Sequence, residues 1–206
     1  MIILFTLVEL QIKLATVANV VKKINESRVS TLAFSEPRNR WTTFYSYSPE
    51  MMSSLNLFIF TFRDGKIYRH NDNDVYNNFY GVQYKSQVRF VANQERGKVK
   101  GFNAISQEAN EAWSVPIITT PPNSNYPKGM LSRINKGKFV KKEGVLYAPF
   151  NKDMNDPQFT NKQQALINGR FLVGQSLEVT LENDSTKETV LFAANILYQL
   201  QERSKK

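Results

Sequence analysis

Hydrophobic and polar residues alternate with a period of two along most of the chain, which predicts β-strands. In residues 57–63, LFIFTFR, the side chains of Phe58, Phe60 and Phe62 fall on one side of such a strand. Residues 84–91, YKSQVRFV, repeat the alternation. Each of these strands is expected to have at least one buried face. The sequence therefore predicts a mainly β protein with antiparallel strands.

The last forty residues contain two further predicted strands. In residues 176–182, SLEVTLE, leucine and valine alternate with glutamate and threonine, and the polar segment NDSTK separates them from residues 188–200, ETVLFAANILYQL. This order predicts a β-hairpin with a five-residue loop. Its second strand is apolar on both sides, around Phe192, so we expect that strand to lie centrally in the core.

Segments rich in Pro, Asn and Ser connect the strands. The longest, TTPPNSNYPKG at 119–129, contains Pro121 and Pro122, which cannot donate hydrogen bonds to a sheet. We expect a long, functional loop here and the internal domain boundary, if there is one. Residues 1–28 carry both a heptad-like spacing and a strand-like alternation, so a short N-terminal helix and a strand stay open.

These patterns together predict a fold class and a domain organisation. We expect a mainly β, antiparallel protein, built as a β-sandwich or as propeller-like blades, with a short N-terminal helix. Residues 1–28 form an N-terminal segment of undefined structure, and 29–206 form one β-rich module. The chain has 206 residues, of which 41% are hydrophobic, enough for one substantial core or two small ones.

Residues 64–81, DGKIYRHNDNDVYNNFYG, look at first like a ligand-binding loop. A calcium loop beginning at Asp72 would need glycine at its sixth position and glutamate at its twelfth, but Asn77 and Gln83 stand there. Asp and Asn tolerate left-handed backbone and suit turns, and Asp64 with Gly65 suits a tight hairpin. The stretch therefore predicts strand turns, with His70, the only histidine, in a structural or exposed position.

Composition excludes several classes of function. The chain has no cysteine, so it has no disulfide, thiolate metal site or cysteine nucleophile. It has no Gly-x-Ser-x-Gly elbow and no glycine-rich phosphate loop. Glu108 and Glu111 lie three residues apart, which favours a solvated helical turn over a glycosidase pair. We expect no enzymatic activity, no catalytic residue, no metal and no cofactor. No uncharged apolar stretch approaches the ~20 residues of a membrane span, so no membrane contact is expected.

Charge singles out one segment of a chain whose formal net charge is +9. Residues 128–142, KGMLSRINKGKFVKK, contain no acidic residue. Such a run suits an acidic protein partner or the phosphates of DNA, and it also suits a solvated strand face, because lysines are common on edge strands. This basic run consists of Lys128, Arg133, Lys136, Lys138, Lys141 and Lys142.

Aromatic residues are abundant on the predicted strands, notably in RWTTFYSYSPE at 40–50 and YNNFYG at 76–81. Exposed aromatics on a sheet can stack on bases or sugars. The same residue types also form cores and protein interfaces. The sequence leaves both readings open: a core or subunit interface, or a β-sandwich binding module for carbohydrate or single-stranded nucleic acid.

Six segments of the chain form an ordered set. They are RWTTFYSYSPEMM, DGKIYRHN, YNNFYG, NAISQEAN, FVKKEGVLYAPF and GQSLEVTLENDS…ETVLFAANILY. This set resembles the C-terminal part of the tail muzzle, or stabilisation, proteins of crAss-like bacteriophages. The resemblance covers roughly residues 30–200 and extends more remotely to the tail nozzle proteins of other short-tailed phages.

This resemblance implies a structural virion protein of a short-tailed phage. Such a protein would be a subunit of the muzzle or nozzle, or of an associated ring, through which DNA is ejected. Its partners would be other copies of itself and other tail or ring proteins, with transient contact to genomic DNA. It would be made in the cytoplasm of the host bacterium and reside in the virion tail. Proteins of that family are generally far longer than 206 residues.

Overall fold

The computed structural model describes residues 31–201, and contacts between residues divide the chain into two compact units between Asn73 and Asp74. The segment 1–28, with its alternative of helix or strand, lies outside the described residues. The predicted boundary near 119–129 stays a prediction. That loop connects two paired strands within the second unit.

The first unit consists of short antiparallel strands in two sheets. Leu55 pairs with Phe58, and Arg63 pairs with Lys66 across a tight turn in which Asp64 and Gly65 have φ of 50° and 69°. The hairpin predicted at Asp64–Gly65 is therefore confirmed. One sheet pairs β1 with β2 and the other has the order β3-β4-β5; the strands are β1 (Thr31–Ser35), β2 (Arg40–Tyr45), β3 (Met51–Leu55), β4 (Phe58–Arg63) and β5 (Lys66–Arg69).

The second unit is a sandwich of two antiparallel sheets. Its elements are β6 (Asn78–Phe79), β7 (Val82–Gln83), β8 (Ser86–Ala92), β9 (Lys100–Ala109), β10 (Ser114–Thr119), β11 (Leu131–Ile134), a 3₁₀ turn (Lys136–Lys138), β12 (Val140–Lys142), β13 (Val145–Pro149), α1 (Lys162–Asn168), β14 (Val173–Gly174), β15 (Leu177–Asn183) and β16 (Leu191–Leu200). β6 and β7 form a separate two-stranded sheet, and the first sheet of the sandwich has the order β11-β10-β15-β8. The second has the order β12-β13-β9, with β14 and β16 also paired to β9.

One hydrophobic core joins the two sheets of the second unit. Phe102 and Ile105 of β9 reach it from the second sheet, and Val115, Val179 and Leu181 reach it from the first. All five are at most 2% exposed. The prediction of a mainly β, antiparallel protein is confirmed, and in this unit the arrangement is that of a sandwich.

The turn chemistry predicted for residues 71–81 is also confirmed. Asn71 and Asn77 have positive φ angles, and Tyr80 and Gly81 form the turn between β6 and β7. Asn tolerates this left-handed backbone because its short polar side chain bonds locally.

In β4, the most buried residue is Thr61 and not a phenylalanine. Phe58 is 45% exposed.

The predicted hairpin between residues 177 and 200 is wrong. The strand Leu177–Asn183 pairs with β8 and β10 of the first sheet, whereas Leu191–Leu200 pairs with β9 of the second. Residues 184–190 therefore carry the chain from one sheet to the other. Leu177, Val179 and Leu181 are fully buried, as their alternation predicts.

The predicted central position of β16 is wrong as well. Among the described residues β16 pairs with β9 alone, so it is an edge strand. Phe192 is 76% exposed and Leu197 is 43% exposed. A strand with apolar residues on both sides is usually covered on both faces, but here part of the apolar surface faces solvent.

One helix in the second unit was not predicted from the sequence. It begins after Asn161, whose side-chain Oδ1 accepts a hydrogen bond from Gln163 N at 2.8 Å. Ala165 and Leu166 are its buried residues. In the sequence, the N-cap asparagine and this apolar pair were the features that could have indicated the helix.

Candidate assembly surface

The basic run lies where the chain passes from the first sheet to the second. Arg133 belongs to β11, the end strand of one sheet, and Lys141 and Lys142 belong to β12, the end strand of the other. The 3₁₀ turn Lys136–Lys138 connects the two strands. The run therefore lines one side of the sandwich, with Lys128 in the preceding loop.

Some cations of the basic run contact a neighbouring side chain in the structure, and others have no ion-pair partner among the described residues. Lys136 donates to Glu111 Oε1 at 2.6 Å, and this hydrogen bond lowers the pKa of the Glu111 carboxyl. Lys142 Nζ lies 5.4 Å from the centre of the Tyr147 ring, a cation–π distance. Lys128, Lys138 and Lys141 are exposed, and within residues 31–201 they belong to no ion pair. These three cations are the ones most available to an acidic partner.

The solvated helical turn predicted at Glu108 and Glu111 is wrong, because Glu108 lies in the strand β9. Glu111 is the partner of Lys136, and Glu108 is an exposed residue of β9. Across the described part of the chain, no group of three His, Cys, Asp or Glu side chains could hold a metal ion. No helix within residues 31–201 is long and apolar enough to cross a membrane.

An apolar groove opens at the opposite side of the sandwich, between the end strands β8 and β16. Its walls are Val88, Phe90, Trp113, Leu191 and Phe192. This groove was not predicted from the sequence, because β16 was expected in the centre of the core. The absence of any charged residue from Leu191 to Leu200 was the sequence feature that could have indicated this groove.

The loop 119–129, predicted to be a functional protrusion, forms one wall of a polar cleft with Asn93 and Gln175. The guanidinium of Arg170 lies 5.1 Å from the ring centre of Tyr126 and pairs with Asp156 at 3.2 Å. Hydrogen bonds from Gln158 N and from Arg170 lower the pKa of Asp156. These contacts hold the loop in place; contact with a neighbouring subunit stays a prediction.

A buried lysine contacts Gln175, one of the residues that line the same cleft. Lys100 in β9 is fully buried, and its Nζ donates to the backbone carbonyls of Glu95 (3.0 Å), Lys98 (3.2 Å) and Gln175 (2.6 Å). Burial lowers the pKa of Lys100, and the nearby carboxylate of Glu95 partly opposes this effect. Since all three ammonium hydrogens have acceptors, Lys100 joins loops and is not a free binding group.

Aromatic residues of the first unit are largely exposed. Trp41 is 62% exposed and Phe44 is 78% exposed on β2, whereas Tyr47 is buried. Leu57, at the turn between β3 and β4, is 97% exposed. Large exposed apolar side chains grouped on one small unit are typical of an interaction surface.

His70 is a structural residue of the first unit. Its ring lies 4.9 Å from that of Tyr47 in a stacked arrangement, and its Nε2 is 2.8 Å from Thr61 Oγ1. Burial lowers the pKa of His70. The imidazole therefore favours its neutral form when the unit is folded.

This lowered pKa of His70 predicts a pH dependence of stability. Well above pH 6.5 the histidine is neutral in both states, but as the pH falls the unfolded chain takes up the proton first, so the folded unit loses stability. After allowance for solvent screening, we expect a loss below about 1 kcal/mol between pH 7.5 and 5.5. Denaturant unfolding followed by Trp41 fluorescence in a Trp113→Phe background measures it; His70→Gln should remove the slope, and an unchanged slope would contradict the assignment.

Comparison with known proteins finds a family match for one part of this chain. Residues 74–153 match the Crassvirus muzzle protein C-terminal domain. The chain is also 36% identical, over 84 residues, to the muzzle protein of Bacteroides phage crAss001. The aligned stretch is 40% of this chain and 6% of that relative, so the chain spans a small part of the relative's length.

The matched residues contain the whole basic run and the strands β6 to β13. The resemblance drawn from the sequence is thus confirmed over residues 74–153. It rests there on YNNFYG, NAISQEAN and FVKKEGVLYAPF. The segments outside 74–153 contribute nothing to this family match.

Proposed function

We propose that this chain is a non-enzymatic structural protein of the tail of a crAss-like phage, a subunit of the muzzle or nozzle or of an associated ring through which DNA is ejected. The observation that carries the proposal is the match of residues 74–153 to the muzzle protein C-terminal domain. The identity of 36% with the crAss001 muzzle protein over 84 residues supports it.

The surfaces of the two units support an assembly role. The first unit exposes large apolar residues such as Phe44 and Leu57, and the second exposes a basic side at Lys138 and Lys141. Surfaces of this kind bind partner proteins. The partners are other copies of the chain and other tail or ring proteins, genomic DNA touches the assembly only during passage, and the chain resides in the virion tail.

Virion location provides the test of this function. The chain should be present in particles purified from cells infected with a phage that encodes it, and antibodies against it should label the tail end in electron micrographs. A non-structural protein of the same phage, measured in the same particles, is the control. Detection in the infected-cell lysate but not in purified particles would contradict the proposal.

Charge reversal distinguishes a protein partner of the basic run from DNA. We expect the triple variant of Lys138, Lys141 and Lys142 to Glu to lose self-assembly at least tenfold, while DNA affinity is negligible before and after. A passage for moving DNA gains little from tight basic contacts that hold the polymer back. Electron microscopy and a salt titration of DNA binding measure the two effects, with exposed Lys66, Arg96 and Lys162 reversed as the matched control.

Normal assembly of the triple variant, together with loss of a salt-sensitive DNA affinity, would show that phosphates are the partner.

The alternative function, a module that binds carbohydrate or single-stranded nucleic acid, is favoured by the exposure of Trp41 and Phe44. Quenching of Trp41 fluorescence by a glycan or oligonucleotide, lost in Phe44→Ala, would support that alternative.

A further inference from the structure

The second sheet of the sandwich ends in an unpaired strand at each side. Within the described residues, β12 pairs only with β13 and β16 pairs only with β9. An unpaired edge presents a row of backbone N–H and C=O groups that can bind another strand. Within residues 31–201, the sheet is therefore open at both ends.

The edge of the first sheet at β11 is closed by the chain itself. Met154 N donates to Leu131 O at 2.6 Å, Leu131 N donates to Asp153 Oδ1 at 2.9 Å, and Asn151 Nδ2 donates to Arg133 O at 2.6 Å. Residues 151–154 thus occupy this edge. Neither β12 nor β16 has such a cover among the described residues.

The strand directions in the second sheet allow it to continue into another copy. Along β12, β13, β9 and β16, every neighbouring pair is antiparallel, so β12 and β16 run in opposite directions. A second copy in the same orientation, placed beside β16, presents its own β12 antiparallel to β16. The new pair would have the same geometry as every other pair in the sheet.

Charge favours this head-to-tail pairing over pairing of like edges. Two β12 strands would bring the lysines at 141 and 142 of one copy next to those of the other, and like charges facing each other are destabilising. The ten residues of β16 carry no charge. Near its first residues lie two exposed carboxylates that belong to no ion pair in the described part of the chain: Glu108, which is paired with Ala193, and Glu188.

We propose that the second sheet continues from one copy of the chain to the next, with the β12 edge of each copy on the β16 edge of its neighbour. This inference rests on the proposed function and names the partner of the basic run, a second copy. The exposed Val140, Phe192 and Leu197 become covered in the interface. Because the two edges differ, the contact is heterologous, and repetition gives a closed ring or a filament.

Cysteine cross-linking tests the pairing, because the natural chain has no cysteine. Val140→Cys and Asn195→Cys place one thiol on each edge. A thiol-specific cross-linker tolerant of a two-residue slip, about 7 Å, should join a mixture of the two single variants into dimers. The double variant should give a ladder of higher oligomers, and Gln163→Cys on the exposed face of α1, paired with either edge variant, should give none.

The sign of an added charge provides a second test on the full chain. Asn195→Lys should weaken self-association at least tenfold in sedimentation velocity, whereas Asn195→Glu should not, because the facing strand carries lysines. Reversal of Lys141 and Lys142 to Glu should restore association of Asn195→Lys. Equal melting temperatures of the two Asn195 variants exclude a folding effect.

Three results would overturn this inference. They are cross-links of Asn195→Cys only with itself, no cross-link between the two edges, or equal effects of Asn195→Lys and Asn195→Glu. The proposed function is judged separately, by the presence of the chain in purified virions. Virion incorporation without edge cross-links would leave the structural role standing and remove only this interface.

Discussion

Phe102→Ala is expected to destabilise the second unit by about 3 to 5 kcal/mol, the usual cost of removing a large aromatic side chain from a core. Phe102 is 2% exposed and lies in β9, between the two sheets. The truncation leaves a cavity where both sheets meet, and the surrounding strands, fixed by their hydrogen bonds, cannot close it fully. Urea unfolding followed by Trp113 fluorescence in a Trp41→Phe background measures the loss.

Phe192→Ala is the matched control for this experiment, since the chemical change is the same. Phe192 is 76% exposed on the edge strand β16, so the isolated chain should change by no more than about 0.5 kcal/mol. If the edge of β16 is an interface, the same variant should weaken self-association. Equal destabilisation by the two substitutions would contradict the assignment of β16 to the edge.

Local features of the sequence predicted local features of the fold. The alternation in residues 177–181 predicted a strand whose Leu177, Val179 and Leu181 are buried, and Asp64–Gly65 predicted a hairpin turn. Side-chain alternation and positive φ depend on a few neighbouring residues, so the sequence contains the whole signal. These predictions needed no knowledge of distant contacts.

Strand pairing is different, because it joins segments that are far apart in the chain. The seven residues between β15 and β16 could turn back within one sheet or cross to the other, and both need a polar loop. The chain crosses because β15 is already paired on both sides, with β8 and β10. Likewise, the apolar pattern of β16 does not distinguish a buried centre from an edge that a partner covers.

In the candidate surface, too, local features could be predicted from the sequence but long-range contacts could not. Adjacent lysines identified the basic run, but the sequence did not indicate that Lys136 would pair with Glu111, 25 residues earlier. The structural role of Lys100 was not predicted from the sequence. This lysine lies between Val99 and Gly101 in a chain with 27 basic residues, and its acceptors come from two separate loops.

Lys100→Met tests whether this buried lysine stabilises the fold. The methionine side chain retains much of the apolar stem of lysine but removes the ammonium, so the carbonyls of Glu95, Lys98 and Gln175 lose their donor. Hydrogen bonds from a charged group are worth about 1.5 to 3 kcal/mol each. The cost of burying the ammonium offsets a large part of that gain.

We expect the three hydrogen bonds to outweigh the desolvation of Lys100, with a net loss of about 1 to 3 kcal/mol in Lys100→Met. Chemical unfolding measures this value, and Lys138→Met, at an exposed position, should stay within about 0.5 kcal/mol of the natural chain. A more stable Lys100→Met would show that desolvation dominates. In that case the lysine is retained for the arrangement of the loops around the polar cleft, because an apolar side chain at position 100 leaves the carbonyls of both loops without a common donor.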